Sequence, residues 1–495
     1  MKYDIVIVGA GVIGASIAYN LIPYDVSVLL LDKNNDVAMG STRANSAIIH
    51  AGFDPKPGTL MAKLNVEGNQ RCEKLCADLS VPFSRCGSLV LAFSEKDKVL
   101  LQELLDRGNA NGVPDLRIIS SEELHEMEPS ISEEAIAALY APSAGIVNPW
   151  ELCLAQAEVF VRNGGTFLGN CKVTGIRKSD NRYILETTQE NIEANTVILA
   201  CGVYSDIVHG FVSEPDFRIV PTRGEYYLLD KSEGSRVGRV IFQCPDENGK
   251  GILVSPTVHG NLICGPTAEI LKGDPEDTST TAEKLAEVKA KAALSVKDIS
   301  WRDNIRNFSG IRANSTAEDF IIRRIPEEQG IFEAAGIKSP GLASSPAIGP
   351  YMVDLLKDSG ISLPEKASYD LTRKKIHFRD LSNEERAELV KKDSAYGRIV
   401  CRCEGITEGE IRDALNSPIP PVSLDAVKRR AGTGMGRCQG GFCGPRIVEM
   451  LIEQSRNVAV PCGSTPLPPA HLSILQDANG SNLFFERDAE KEVES

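Results

Sequence analysis

The chain opens on a stretch that leaves few choices of fold. Asp4–Val8 is a run of Ile and Val, as a buried parallel strand requires, and it leads straight into Gly9-Ala10-Gly11-Val12-Ile13-Gly14. A lone G-x-G-x-x-G is weak evidence. Here an apolar helical segment follows, running out near Leu21 before Pro23, and then a second apolar strand, Val26–Leu31, ending at Asp32. In such a strand–helix–strand unit Gly9 allows the tight turn, Gly11 lets the backbone approach a pyrophosphate, and Gly14 lets helix and strand pack closely. The phosphates would meet the free N–H groups at the helix start, and Asp32 would accept from a ribose hydroxyl. The expected class is α/β, with a Rossmann-like dinucleotide-binding domain.

Four later stretches bear on what the dinucleotide does. Ser41, Thr42, Asn45 and Ser46 follow the second strand, where a bound dinucleotide would emerge, and His50 lies four residues further on. A lone His is more often structural than catalytic, so His50 gains meaning only from its neighbours. The apolar strand Asn195–Leu199 ends in Ala200-Cys201-Gly202, small residues that let the backbone pass near a cofactor, although a plain strand-to-helix turn reads the same. From Arg218 to Ile325 the chain is β-rich and carries Arg223 and Arg312; either could be a solvated strand charge, yet arginine is the side chain suited to gripping a carboxylate or phosphate bidentately. Ile331–Tyr351 starts as a strand and continues through Gly341 and the small run Ala343–Ala347, expected as a Gly/Ser-rich loop that feeds a helix running through Leu356.

Together these motifs resemble the FAD-dependent oxidoreductases of the D-amino-acid oxidase and glycerol-3-phosphate dehydrogenase superfamily over roughly Met1–Leu356. ANSAIIHAGFDPKPGTLMAKL, PTRGEYYLL and SGIRANSTAEDFII are similar to two subgroups, the short bacterial glycerol-3-phosphate oxidases and dehydrogenases and the L-2-hydroxyglutarate enzymes. The resemblance implies FAD at the fingerprint and hydride transfer from a carbinol carbon to the flavin. It implies His50 as the catalytic base and Arg312 as the cation for the substrate's anionic end, with Arg223, Tyr226, Ser344 and Ser345 as further substrate contacts. It also implies cofactor contacts at Val12, Ile13, Lys33, Val173, Ala200, Gly202, Gly341, Leu342 and Ala343, beside the fingerprint glycines, Asp32 and the 41–46 run. The implied architecture is a discontinuous FAD-binding domain (1–80, 145–215 and 326–357) with an inserted antiparallel-β substrate domain (81–144 and 216–325).

Residues 358–395 are polar and read as a connector, with a short helix over Ser382–Lys392. Then comes Cys401-Arg402-Cys403 and, 34 residues later, Cys438-x4-Cys443. Two close cysteine pairs point to one four-thiolate centre far more strongly than isolated cysteines do. Each pair precedes a helix: Thr407 and Glu410 form a capping box after the first, and Gly444-Pro445 opens a helix after the second. A structural zinc is one reading. The other is a 2Fe-2S cluster, since the spacing and the glycine-rich second loop resemble the bacterioferritin-associated-ferredoxin-like domain over about Gly397–Ser455. That resemblance implies a small, mostly helical iron–sulfur domain (396–460), followed by a tail (461–495). Lys428-Arg429-Arg430 reads as a solvated helix end or a docking patch for an acidic partner.

Composition sets the outer limits. A net charge of −14 argues against general nucleic-acid binding, and there is no apolar run long enough to span a bilayer. The first strand begins almost at Met1, so no signal peptide is expected, and 13 cysteines without secretory features do not read as a disulfide framework. Cys201 has apolar neighbours and is assigned no reaction. With the resemblance, the expectation is a cytoplasmic FAD-dependent dehydrogenase of a small phosphorylated or carboxylated alcohol, sn-glycerol 3-phosphate first; the rivals are a 2-hydroxy-acid dehydrogenase (L-2-hydroxyglutarate), an amino- or imino-acid dehydrogenase and a non-enzymatic redox carrier. A two-electron flavin beside a one-electron cluster implies a redox partner, either a second flavoprotein subunit or a quinone-linked acceptor, through which the protein could meet the membrane face.

Overall fold

The computed structural model describes residues 1–244, 251–326 and 328–457; the tail expected over 461–495, with Cys462, lies outside the described residues. The chain divides into two compact units, Met1–Lys375 and Ile376 onward.

The first unit is built on two sheets. In one, Lys2–Val8 pairs in parallel with Val28–Leu31 on one side and Ile192–Leu199 on the other, and Val28–Leu31 pairs in parallel with Thr166–Leu168. Ile5–Val8 and Val28–Leu31 are apolar and buried throughout, because both faces are covered there. The Ile192–Leu199 strand divides its outer edge: Arg182–Thr187 joins antiparallel at one end and Ile331–Ala335 joins parallel at the other. The glycine turn after Val8 and the Ala200–Gly202 turn therefore emerge side by side from adjacent parallel strands. A Cβ on Gly9 would lie 2.3 Å from the Ala200 carbonyl oxygen, and one on Gly14 would lie 1.9 Å from the Gly9 carbonyl oxygen. The first and third fingerprint glycines thus permit backbone contacts that no other residue allows.

The second sheet has nine strands and contains Ser88–Ala92, Arg117–Ser120 and Ala137–Ala141 together with strands from Ile219 to Ser315. Its backbone is the long antiparallel pair Ile219–Leu229 and Asn304–Ser315. A small third sheet ties Ile48–Ile49 to Gly145–Val147, and Gly145–Val147 to Phe83–Ser84. His50 leaves this sheet directly.

Three helices meet beneath the glycine turn. The helix Gly341–Asp358 packs on Val12–Asn20 and on Leu60–Asp78. A Cβ on Gly349 would lie 2.5 Å from the Ser16 carbonyl oxygen, and one on Gly68 would lie 2.1 Å from the Ala343 carbonyl oxygen. Here the structure departs from the sequence reading. Ala343–Ala347 is not a loop before a helix but its first turns, with Pro346 and Pro350 inside the helix. Small side chains there are required by interhelical distance.

The polar segment after residue 358 also differs from a free connector. Up to Lys375 it belongs to the first unit: Arg373 pairs with Glu158 at 2.9 Å, Lys375 pairs with Glu151, and Arg162 bonds Asp370. Burial pushes the Lys375 ammonium below its usual range, opposed by the Glu151 carboxylate. Only the remainder, with the capped helix Asn383–Lys392, belongs to the second unit.

The second unit is small. A two-stranded pair, Ile399–Cys401 with Ile406–Thr407, is followed by the helices Glu408–Leu415, Leu424–Ala431 and Gly444–Asn457, around a core of Ile411, Leu415, Val427, Ile447 and Leu451. The Thr407–Glu410 capping box is reciprocal. Arg429 and Arg430 are buried: Arg429 pairs with Asp425, and Arg430 donates to the carbonyls of Ile419 and Ala426. They bind their own domain, so the expectation of a solvated end or docking patch at Lys428–Arg430 is corrected for these two.

Arg373 and Glu158 are 10% and 5% exposed. Replacing Arg373 with Ala strands the Glu158 carboxylate and is expected to destabilise the first unit by about 3 kcal/mol, read as a lower denaturation midpoint in urea.

Candidate active site and cluster site

One cavity of about 1120 Å³ runs through the first unit, lined from both large sheets and from the Ile48–His50 region. At the fingerprint end its wall includes Gly9, Gly11, Val12, Ile13, Asp32 and Lys33. Val173, Ala200 and Gly202 add to that wall, and Ser41, Thr42, Asn45 and Ser46 continue it toward Gly341 and Leu342. Gly14 and Ala343 are not part of the lining; they serve the packing described above.

The strongest sign of what fits this cavity is how its helices begin. In this unit the long helices Leu60–Asp78, Glu95–Asn111, Pro149–Arg162 and Ala282–Ser295 are capped by Thr59, Ser94, Asn148 and Thr281. The two helices whose first residues line the cavity, Val12–Asn20 and Gly341–Asp358, have no side-chain cap. Val12 N donates to Thr42 Oγ1 at 3.0 Å and Gly341 N to the Lys338 carbonyl at 2.6 Å; the next N–H groups of each first turn, and the positive dipole ends, remain available to anionic groups of a ligand. An elongated cavity with an anion-receiving helix start at each of two places suits FAD, whose pyrophosphate and pyrimidine oxygens are its two electron-rich parts. Asp32 already accepts from Ala10 N at 2.8 Å and Asn34 N at 2.9 Å, which fixes its carboxylate, and burial pushes its pKa up. Lys33 pairs with Glu276 at 2.6 Å and lies over the Tyr204 ring at 4.1 Å. Burial raises the Cys201 thiol to about 12, so no thiolate nucleophile is present there.

The other end of the cavity is assembled from remote parts of the chain. The His50 ring stacks on Phe242, with centroids 5.8 Å apart and planes inclined by 25°, and its Nε2 is 3.3 Å from Ser339 Oγ. Arg312 donates from Nη2 to the Thr267 carbonyl at 3.1 Å. Tyr226 stacks on Phe308 at 4.8 Å, and its hydroxyl is 3.1 Å from Ser46 Oγ. Burial raises the Tyr226 phenol, while Arg312 and Ser46 act in the opposite direction. His50, Arg312, Tyr226 and Ser46 therefore face one space. The strand under Arg312 is held against the 41–46 run: Ser41 Oγ donates to the Ile311 carbonyl, and a Cβ on Gly310 would lie 1.8 Å from the Ala44 carbonyl oxygen.

Three residues expected at the substrate lie elsewhere. Arg223 does not line the cavity; it is buried against Asp277 and Glu269, each at 2.7 Å. Strand alternation is the reason, since Thr222 and Tyr226 face the cavity and Arg223 faces away. Ser344 and Ser345 are fully buried in the helix, and their hydroxyls donate to the carbonyls of Pro340 and Leu342. Phe242, Ser339 and Gly224 were not anticipated. Gly224 sits beside Arg312, and a Cβ there would come within 2.9 Å of Arg312 Nη2 and 2.7 Å of Pro266 Cβ.

In the second unit the cysteines pair across the two motifs. Cys403 and Cys438 have their sulfurs 3.4 Å apart, near the ~3.7 Å span of two thiolates on one tetrahedral ion with ~2.3 Å metal–sulfur bonds. Cys401 and Cys443, both buried, share a hydrogen bond that holds the Cys401 thiol low and the Cys443 thiol high. Two thiolate pairs, one buried and one toward solvent, match the ligand demand of a two-iron cluster. The glycine-rich loop brings them together: a Cβ on Gly436 would lie 2.3 Å from Cys403 Cβ.

A Rossmann-like sheet, a β-rich insert and a cavity bearing two open helix starts define an FAD-dependent oxidoreductase. Residues 4–355 match the FAD dependent oxidoreductase (DAO) family model, and the chain belongs to that family. Residues 399–453 match the BFD-like [2Fe-2S] binding domain, so a 2Fe-2S domain follows. The chain is 48% identical over 454 residues to a glycerol 3-phosphate dehydrogenase of Caloramator mitchellensis, spanning 91% of this chain and 94% of that one. It is 34% identical over 272 residues to an L-2-hydroxyglutarate dehydrogenase of Escherichia coli, covering 54% of this chain and 64% of that one. Among solved structures it is similar to the FAD-bound, dithionite-reduced L-α-glycerophosphate oxidase of Mycoplasma pneumoniae, with a TM-score of 0.71, 30% identity, and 75% and 98% of the two chains covered.

Two substitutions test these sites. Gly224→Ala is expected to displace Arg312 and weaken substrate affinity about tenfold or more, with the bound flavin unchanged, as read from the substrate dependence of flavin reduction. Gly436→Ala is expected to abolish the cluster's visible absorbance and EPR signal while flavin content stays at the parent level.

Proposed function

We propose that this protein oxidises sn-glycerol 3-phosphate to dihydroxyacetone phosphate and delivers the electrons, through its cluster, to a redox partner. The observation that carries the reading is the convergence of His50 and Arg312 on one cavity from different sheets, in a chain nearly half identical to a glycerol 3-phosphate dehydrogenase over almost its whole length. Bound FAD supplies a two-electron acceptor for hydride, and a 2Fe-2S cluster takes electrons singly.

The chain's own residues do the rest. Arg312, fixed by the Thr267 carbonyl and packed over Gly224, pairs with the substrate's phosphate. That contact presents the secondary alcohol to His50, whose Nε2 edge opens on the cavity beside Ser339 Oγ. His50 takes the hydroxyl proton while the hydrogen on the same carbon leaves as hydride, so no alkoxide has to form free in solution. Phe242, against the imidazole face, keeps that ring from turning. Tyr226, kept as a neutral phenol by burial, can donate to the substrate but does not compete as a base.

An acceptor other than oxygen explains why a cluster domain is present at all. No helix of the described residues is long and apolar enough to cross a membrane. We read the protein as a dehydrogenase that reaches a quinone-linked or flavoprotein acceptor through a partner.

Anaerobic stopped-flow measurement of flavin bleaching tests the substrate. Glycerol 3-phosphate is expected to reduce the flavin at least about 100-fold faster than L-2-hydroxyglutarate, and His50→Ala to slow reduction about 10²- to 10⁴-fold. A flavin that stays oxidised with glycerol 3-phosphate would sink the assignment. Substrate-reduced enzyme without a reduced-cluster EPR signal would sink the electron route.

A further inference from the structure

His50 reaches the cavity from a short loop, and something must hold that loop. The His50 carbonyl oxygen accepts from Asn65 Nδ2 at 2.9 Å and from Asn69 Nδ2 at 3.0 Å. The two asparagines are one helical turn apart on Leu60–Asp78 and are 0% and 3% exposed. Two amide donors buried on one face of a helix and converging on one carbonyl are not what core packing selects.

The surroundings show which way each amide must point. Asn69 Oδ1 accepts from Arg85 Nη1 at 3.1 Å, and Arg85 is itself paired with Glu73 at 2.9 Å. With its oxygen so engaged, Asn69 turns Nδ2 toward the carbonyls of His50 and Ser143. The Asn65 side chain has no other hydrogen-bond partner among the described residues, and its Oδ1 is buried without one. A buried, half-satisfied amide is costly to keep, so its single bond to His50 has to matter.

The helix that carries these amides is itself fixed at both sides of the site. Its first N–H groups, Leu60 and Met61, donate to the Asp319 carboxylate at 2.7 and 2.8 Å. Gly68 lies against the Ala343 carbonyl, in the helix whose start lines the cavity. We propose that Asn65 and Asn69 are positioning residues: they clamp the His50 backbone to this helix and so set the imidazole relative to the start of Gly341–Asp358. The proposal rests on the reading of His50 as the base.

The test uses the FAD-loaded full chain. Asn65→Ala is the first variant, because the one hydrogen bond it removes is that to His50; Asn69→Ser is the second, because Asn69 also braces Ser143 and Arg85. Each is expected to lower the limiting rate of anaerobic flavin reduction by glycerol 3-phosphate about 10- to 100-fold. Substrate affinity, set by Arg312, should stay within about twofold, and flavin absorbance and melting temperature should remain near the parent values for Asn65→Ala. In a His50→Ala background, followed by single-turnover reduction over hours, the effect of Asn65→Ala should shrink to less than about twofold. A folded, flavin-loaded Asn65→Ala enzyme as fast as the parent would overturn the proposal, as would an equal loss of rate with and without His50. If His50→Ala alone were fully active, the base assignment would fall first, and the clamp with it.

Discussion

Close backbone packing at three helices is the constraint on which the enzyme half depends. Gly341–Asp358 must approach both Val12–Asn20 and Leu60–Asp78 until backbone nearly touches backbone, and Gly349 and Gly68 make that possible. The result is more than a core. It brings the uncapped starts of two helices, one from each end of the first 360 residues, to a single cavity. The N–H groups left open there, beyond Val12 N and Gly341 N, would be a defect in an ordinary interior and are an asset facing an anionic cofactor.

The same packing governs the chemistry at the far end. His50 follows a two-residue strand in a three-stranded sheet, too short to orient a side chain by itself. The Leu60–Asp78 helix lies over that loop. Arg312 is placed by different means, a long antiparallel pair whose register puts it opposite Thr222, on the face that looks into the cavity. His50 and Arg312 thus come from independent frameworks, and the 41–46 run, packed on Gly310, joins the two. The cluster unit repeats the device on a smaller scale, with Gly436 letting the second cysteine loop close on Cys403.

Much of this was legible in the chain. The strand–glycine–helix–strand opening, the A-x-G turn and the paired cysteines each depend on local spacing, and local spacing is what a sequence displays. Arg223 and Arg312 show where that stops. Both are arginines in β-rich stretches with plausible neighbours, and only alternation along the strand sends one into an ion-pair cluster and the other into the cavity. Ser344 and Ser345 failed for a related reason: small polar residues before a helix and small residues inside a tightly packed helix look alike on paper. Arg429 and Arg430, at the end of a short helix, look solvated in the sequence; in the fold Arg429 is buried against Asp425 of its own helix and Arg430 against the Ile419 carbonyl.

The sequence by itself determined the class of fold and, through its resemblance to two known families, the two prosthetic groups; residue type and short spacing supplied a dinucleotide site, a four-thiolate site and candidates for acid–base and anion-binding chemistry. Only the tertiary structure decided which of the candidates share a space. That depends on strand register, helix approach and the buried amides at Asn65 and Asn69, contacts between residues tens to hundreds of positions apart in which each side chain looks ordinary until its partner is known.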